Sequence, residues 1–309
     1  MIDVAVSQLT SSRWDLNHEV ERAVALGFQS MSLWRPKVSD LGTSRAARIL
    51  KASGVRASSL QWAGGFTGGD GRSFDESVED AVEAIVMAAA VSAPVLVIHS
   101  GCRSGHTKSH ARRLLVQAFG RLAPLAARAG VALAVKPVHP DVAAGCSFLS
   151  CLTEALELVE SVGDPSVRLA LDLWHFAHEP AMEGMLPRLA LASAVVQVAD
   201  RCGPPTDEAD RLPAGHGVLP LEHLVAGLVA HGYAGTLEFD PVGEAVEILG
   251  YEGVWQETRL VADAWASRSG DVWTHAAAAT GDATAVDHFR AGGVGSRRSH
   301  ASSHSGSPG

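Results

Sequence analysis

Eight short apolar runs punctuate this chain, and the gaps between them leave room for a helix each. The runs lie at residues 2–6, 30–33, 55–60, 95–98, 131–135, 167–171, 194–198 and 236–239. Helical patterns occupy most of the gaps, at 17–26, 44–52, 75–91, 109–129, 153–162 and 221–231. Strands alternating with helices imply parallel pairing, because a parallel neighbour is reached only by a crossover. Several helices end on a glycine shortly before the next strand, in "ALGFQSM", "ASGVRA", "RAGVAL" and "HGYAGTLEF". Glycine suits that place because a left-handed residue closes the last turn.

Eight such units in roughly 265 residues match the size of a (β/α)8 barrel. The competing architecture is an open, doubly wound sheet, which usually carries a Gly-rich phosphate loop after an early strand. Here the first strand runs into "SQLTSSRWD", and "GGFTGGDG" follows the third strand without phosphate-loop spacing. The expected fold is therefore α/β, a single (β/α)8 TIM barrel over residues 1–266 that ends in a helix. Residues 267–309 read as a low-complexity, disordered tail, since "RAGGVGSRRSHASSHSGSPG" offers little to bury. His300 and His304 then belong to that tail rather than to a metal site.

Composition narrows the function. The 309 residues are 47% hydrophobic and 19% charged, with a net charge of -9. Such a chain can bury a full core but shows no basic tract suited to a nucleic-acid backbone. No apolar run reaches the ~20 residues of a membrane span, and "MIDVAVSQLT" lacks a basic n-region. The four cysteines form no CxxC pair, which favours free thiols. The expectation is a cytoplasmic protein with a small-molecule substrate, no nucleotide cofactor, and neither nucleic acid nor membrane as partner.

Barrel chemistry sits at the C-terminal ends of the strands, and those ends are polar. They supply Gln61 and Trp62, His99, Lys136 with His139, Asp172 with His175, Gln197 with Asp200 and Arg201, and Glu238 with Asp240. A lone His or Gln at a strand end is commonly a satisfied structural residue. Two carboxylates aimed into one barrel mouth are harder to accommodate, because an unpaired buried charge is costly. Asp172 and Glu238 need a cation, a shared proton or a cationic side chain between them. Trp34, Trp62, Trp174 and Phe66 either wall a pocket or pack the rim.

Taken in order, "GFQSMSLWR", "VLVIHSG", "GVALAVKPVHP", "VRLALDLWHF", "VVQVADRCG" and "RLPAGHGVLPLEHLVAGLVAHGYAGTLEF" resemble the xylose isomerase-like TIM-barrel family of sugar phosphate isomerases and epimerases. The resemblance spans about residues 2 to 265. It implies an isomerase or epimerase of a sugar-like or hydroxy-keto molecule, working by proton transfer next to a carbonyl. A dehydratase or lyase of the 3-dehydroshikimate dehydratase type would use similar machinery, and a non-catalytic ligand-binding barrel is the third possibility. The family's divalent metal, Mn, Mg or similar, is commonly held by a Glu after strand five and by residues matching Asp172, Gln197 and Glu238. The resemblance further implies substrate-binding roles for His99, His139, Arg201, Arg211 and Trp62, and catalytic roles for Lys136, Glu238 and His175. Barrels of this type often pair as homodimers.

Lys136 stands where the first Glu ligand is expected, "VKPVHP" replacing the usual glutamate-proline motif. A unit positive charge ~4 Å from a divalent ion is repelled by about 8 kcal/mol at an effective dielectric near 20, which makes a metal doubtful. In one arrangement Lys136 supplies the positive charge itself, between Asp172 and Glu238. In another a metal is kept by Asp172, Gln197, Glu238 and His139 or His175, with Lys136 facing the substrate. In a third Lys136 is only a structural ion-pair partner. A Schiff-base role is disfavoured, since neighbouring carboxylates favour the charged ammonium.

Overall fold

The strands close on themselves. In a computed structural model that describes residues 2–269, they are β1 (Asp3–Ser7), β2 (Ser30–Trp34), β3 (Arg56–Gly64), β4 (Val95–His99), β5 (Ala132–Lys136), β6 (Val167–Asp172), β7 (Ser193–Val198) and β8 (Thr236–Phe239). They pair in chain order, all parallel, and β8 returns to β1 through Asp3↔Thr236 and Ala5↔Glu238. The expected (β/α)8 barrel is the fold observed.

Alternation along each strand sorts the core into two parts. Leu96, Ile98, Leu133, Val135, Leu169, Leu171, Val196 and Val198 join the large cluster packed under the helices. Val95, Val97, Ala134, Ala170 and Val195 form a separate small cluster from the intervening positions. His99, Lys136, Asp172 and Gln197 continue that second series one rung higher. The hydrophobic pattern that closes the barrel therefore also delivers the polar residues to its mouth.

The helix boundaries follow local chemistry. Ser73 and Glu76 form a reciprocal capping box before the helix Phe74–Ala90. Thr107 caps Lys108–Ala129, which ends on Gly130 at φ 69°. Two helices between β6 and β7, Leu173–Phe176 and Met182–Ala192, lay outside the predicted set. The first is a single turn and the second contains Pro187, which weakens its helical signal. The last helix, Tyr251–Ser269, runs past the boundary expected at residue 266. The remainder of the predicted tail, with His300 and His304, lies outside the described residues. Among the described residues, no helix is long and apolar enough to cross a membrane.

Candidate active site

Neighbouring strand ends stand in register at the barrel mouth. His99 pairs with Lys136 in height, Asp172 with Gln197, and Gln197 with Glu238. Parallel strands lie ~4.8 Å apart, so side chains of one layer touch. Lys136 Nζ lies 2.7 Å from Asp172 Oδ2 and donates to Gln197 Oε1 at 2.6 Å. Gln197 Nε2 donates in turn to Glu238 Oε2 at 3.3 Å. Glu238 also accepts from Ser58 Oγ at 2.6 Å and from Gln61 Nε2 at 3.0 Å. On its other side Asp172 meets Arg211, with Nη1 3.1 Å from Oδ2 and Nη2 3.2 Å from Oδ1. Arg211 Nη2 continues to Asp240 Oδ1 at 2.6 Å, and its guanidinium lies over the Trp174 ring. The ammonium expected between the two carboxylates thus touches Asp172 directly and reaches Glu238 only through the Gln197 amide.

This row separates the behaviour of its carboxyls. Asp172 and Glu238 are both fully buried, and burial pushes a carboxyl up. For Glu238 burial prevails over the hydrogen bond from Ser58 and the charge of Lys136, and its pKa is raised. For Asp172 burial is outweighed by Arg211 and Lys136, which hold it well below the usual carboxylate range. Asp240 is pushed up to about 7 by burial, with Arg211 opposing and Asp172 adding. Burial lowers His99 to about 3, and Lys136 reinforces it. Burial likewise takes His175 to about 3; Asp172 opposes this, while Lys136 and Arg211 add to it. Both imidazoles are neutral at neutral pH.

Two cavities flank the row. The first, about 540 Å³, is lined by Lys136, His99, Gln61, Trp62, Arg35 and Arg72 among others. Trp62 is exposed and stands edge-on to His99, ring centroids 5.3 Å apart. The second, about 500 Å³, takes His139, His175 and Arg201. His175 reaches the row only through Asp172, with Nε2 3.7 Å from Oδ2. Arg211 lines neither cavity and is engaged by Asp172 and Asp240. The residues predicted as one substrate-binding set are therefore divided, Trp62 and His99 on one side and His139 and Arg201 on the other.

Sequence reasoning missed the rim of the first cavity. Arg35 forks onto Asp80, with Nη1 to Oδ2 at 2.9 Å and Nη2 to Oδ1 at 2.8 Å, and Arg72 Nη1 lies 2.9 Å from the same Oδ2. Arg35 follows β2 directly, so its strand-end position was the available signal. Ser58 carried none, since a serine inside a strand looks ordinary. Gly64 also matters here: its φ is 133° and an added Cβ would run into the His99 carbonyl. Only glycine lets β3 and β4 approach so closely beside His99.

The sequence matches the family described as xylose isomerase-like TIM barrel over residues 20–259. The chain belongs to that family. It is similar to the inosose isomerase of Halalkalibacterium halodurans, 28% identical over 139 residues. That match covers 43% of this chain and 47% of that protein, so the chain spans about half the length of this curated relative. A protein of Sinorhizobium meliloti 1021 superposes with TM-score 0.76 at 25% identity, covering 84% of this chain and 97% of its own. The IOLI protein, whose crystal structure holds a zinc atom, superposes with TM-score 0.76 at 17% identity over 87% of this chain and 100% of its own. An L-ribulose 3-epimerase gives 0.70 at 18% identity, over 87% and 96%. The last two share the fold with this chain.

A family-type metal does not fit the residues found here. The oxygens that would face a cation, Asp172 Oδ2 and Gln197 Oε1, already face Lys136 Nζ at 2.7 and 2.6 Å. An ammonium and a divalent ion cannot share that position, given the repulsion between them. Asp172 is further held by Arg211. Among the described residues, no three His, Cys, Asp or Glu side chains converge as a metal-binding group.

Proposed function

We propose that this family member catalyses isomerisation or epimerisation of a small hydroxy-carbonyl compound, with the Lys136 ammonium as the resident cation of the site. The observation that carries the reading is the position of Nζ, at hydrogen-bonding distance from Asp172 and Gln197 while the side chain lines the first cavity. Proton transfer next to a carbonyl builds negative charge on the carbonyl oxygen. A fixed cation at that oxygen stabilises the transition state more than the ground state. Asp172 and Gln197 hold the ammonium in place, so little reorganisation is needed as the charge develops.

The proton itself needs an acceptor beside the cavity. Glu238 takes that role in this reading: it is a carboxyl raised by burial, next to the cavity-lining Gln61. The raised pKa makes it a better base than the strongly depressed Asp172. Trp62 and His99 then bound the substrate's carbon face. A second reading assigns the proton to His99, because it lines the cavity and its Nδ1 has no partner.

Solvent deuterium incorporation at the carbon next to the carbonyl, followed by NMR across ketoses, inososes and hydroxy-keto acids, tests the reaction. Exchange that Glu238→Gln abolishes and His99→Asn leaves in place supports the first assignment; the reverse supports the second. Absence of exchange with every substrate class would move the protein to the group of non-catalytic ligand-binding barrels. Formation of an unsaturated product instead of an epimer would assign it as a dehydratase.

A further inference from the structure

Glu238 is fully buried and lines neither cavity at the barrel mouth. A carboxyl so enclosed meets solvent through its neighbours. Its Oε2 is covered by the side-chain amides of Gln61 and Gln197, at 3.0 and 3.3 Å. An amide nitrogen donates but accepts nothing, so neither passes a proton onward. Its Oε1 meets Ser58 Oγ at 2.6 Å. A hydroxyl both donates and accepts, and so hands a proton from one side to the other.

The direction of Ser58 comes from a bulge. Met31 pairs with Ala57 and Ser32 with Ser59, which leaves Ser58 as the extra residue of β3. A bulge re-aims a side chain, and here it sends the hydroxyl to Glu238. Ser58 also lines a third cavity, of about 550 Å³. Asp3, Ser30, Arg56 and Thr236 share that lining, and each is the first residue of its strand. The cavity therefore lies at the N-terminal end of the barrel, opposite the mouth. Its wall is polar and fixed. Ser30 Oγ donates to Asp3, and Arg56 Nη2 lies 3.0 Å from Asp3 Oδ1 and donates to Ser30 Oγ at 3.1 Å. Lys51 and Arg56, both exposed, open it to the surface. A polar cavity of this size admits water.

We propose that Ser58 is a proton relay joining Glu238 to solvent at the N-terminal end of the barrel. This role rests on Glu238 being the base assigned above. Once Glu238 holds the substrate's proton, its hydrogen bond with Ser58 reverses. The proton passes from Oε1 to Ser58 Oγ while Ser58 gives its own hydroxyl proton to a cavity water. Only O–H bonds form and break, and the hydroxonium ion leaves through the cavity. Substrate then enters at one end of the barrel while protons exchange at the other, so a bound substrate does not seal the base from water.

Turnover in H2O of a substrate deuterated next to the carbonyl tests the relay, with the deuterium lost counted per turnover. Ser58→Ala should lose about fivefold less label per turnover than the wild type, the effect of about one hydrogen bond on a proton-transfer rate. Ser58→Thr, which keeps a hydroxyl, should restore the loss. A merely structural role would slow turnover and leave this ratio unmoved, and an unmoved ratio would overturn the relay. Wild-type turnover that retains all the deuterium would overturn it without any variant. Turnover that survives Glu238→Gln would instead remove the base assignment, and the relay with it. Infrared spectroscopy in D2O needs no substrate. The carboxyl band that Glu238→Gln removes should exchange its proton more slowly in Ser58→Ala than in the wild type, and equal rates would overturn the proposal.

Discussion

Replacing Lys136 with methionine measures how firmly the ammonium is built into this barrel. The change preserves most of the side chain's bulk and removes its charge. Asp172 loses a contact of 2.7 Å and Gln197 a donor at 2.6 Å. A Coulomb interaction at that distance is worth about 6 kcal/mol at an effective dielectric near 20, before desolvation is set against it. Breaking one side of a buried ion pair costs about 3–5 kcal/mol. Asp172 keeps both contacts with Arg211 and an N–H from Trp174, which places the loss near the lower end. The orphaned Gln197 oxygen adds about 1 kcal/mol, giving a total of about 4 kcal/mol. For a domain of this size that is a fall in Tm of about 8–16 °C. Circular dichroism melts, with urea unfolding at one temperature, supply the measurement. The double mutant with Asp172→Asn closes a cycle, in which the second change should cost clearly less once Lys136 is gone. A Tm shift under about 2 °C, together with additive single and double mutants, would show that Lys136 and Asp172 are uncoupled. The ammonium would then not be the counter-charge of the site.

Lys136→Glu should convert the strand end into a cation trap, and calorimetry with Mn2+ or Zn2+ should show binding at least tenfold tighter than to the wild type. Equal binding by both proteins would refute the claim that the ammonium blocks the position. His175 is lowered from 6.5 to about 3 by burial, so as pH falls from 6.5 towards 3 the unfolded chain takes a proton there that the folded chain refuses. Wild-type stability is therefore lost across that window, and the stability difference should move in favour of His175→Gln by about 1.4 kcal/mol per pH unit. A pH-independent difference in urea unfolding would count against a buried neutral imidazole. Gly64→Ala, which drives a methyl into the His99 carbonyl at a positive φ, should cost about 3 kcal/mol or more. Ser58→Ala removes a 2.6 Å donor from buried Glu238 and should cost about 1–3 kcal/mol, read from the same denaturation curves.

The barrel was legible because its information is local and repeated. The run at 131–135 and the observed Ala132–Lys136 differ by one residue at each end, whereas β3, expected at 55–60, runs four residues further to Gly64. Alternation then sent Lys136, Asp172, Gln197 and Glu238 to one layer without further assumptions. The partnerships within the layer were not legible. Whether the ammonium met Asp172 or Glu238 went with the direction of the Gln197 amide, whose nitrogen meets Glu238 alongside the β3 donors Ser58 and Gln61. Arg211 sits in a loop, and its engagement with Asp172 and Asp240 rests on the antiparallel bridge between Arg211 and Val242. Sequence spacing says nothing about such a bridge. The division into two cavities was equally hidden, since loop residues such as Arg72, Cys146, Glu179 and Pro204 complete their walls.

The Gln197 amide has a consequence for how this site could have arisen. Its oxygen points at the positive centre and its nitrogen at the negative one. That orientation is correct for any cation in that place, whether an ammonium or a metal ion. A carboxylate at the position would have added charge and could not donate to Glu238, whereas the amide carries an acceptor and a donor without charge. Glutamine thus offers an acceptor to whichever cation stands there and keeps its donor for Glu238. Codons for lysine and glutamate differ only in their first base, so one substitution at residue 136 separates two forms of the site on one unchanged scaffold.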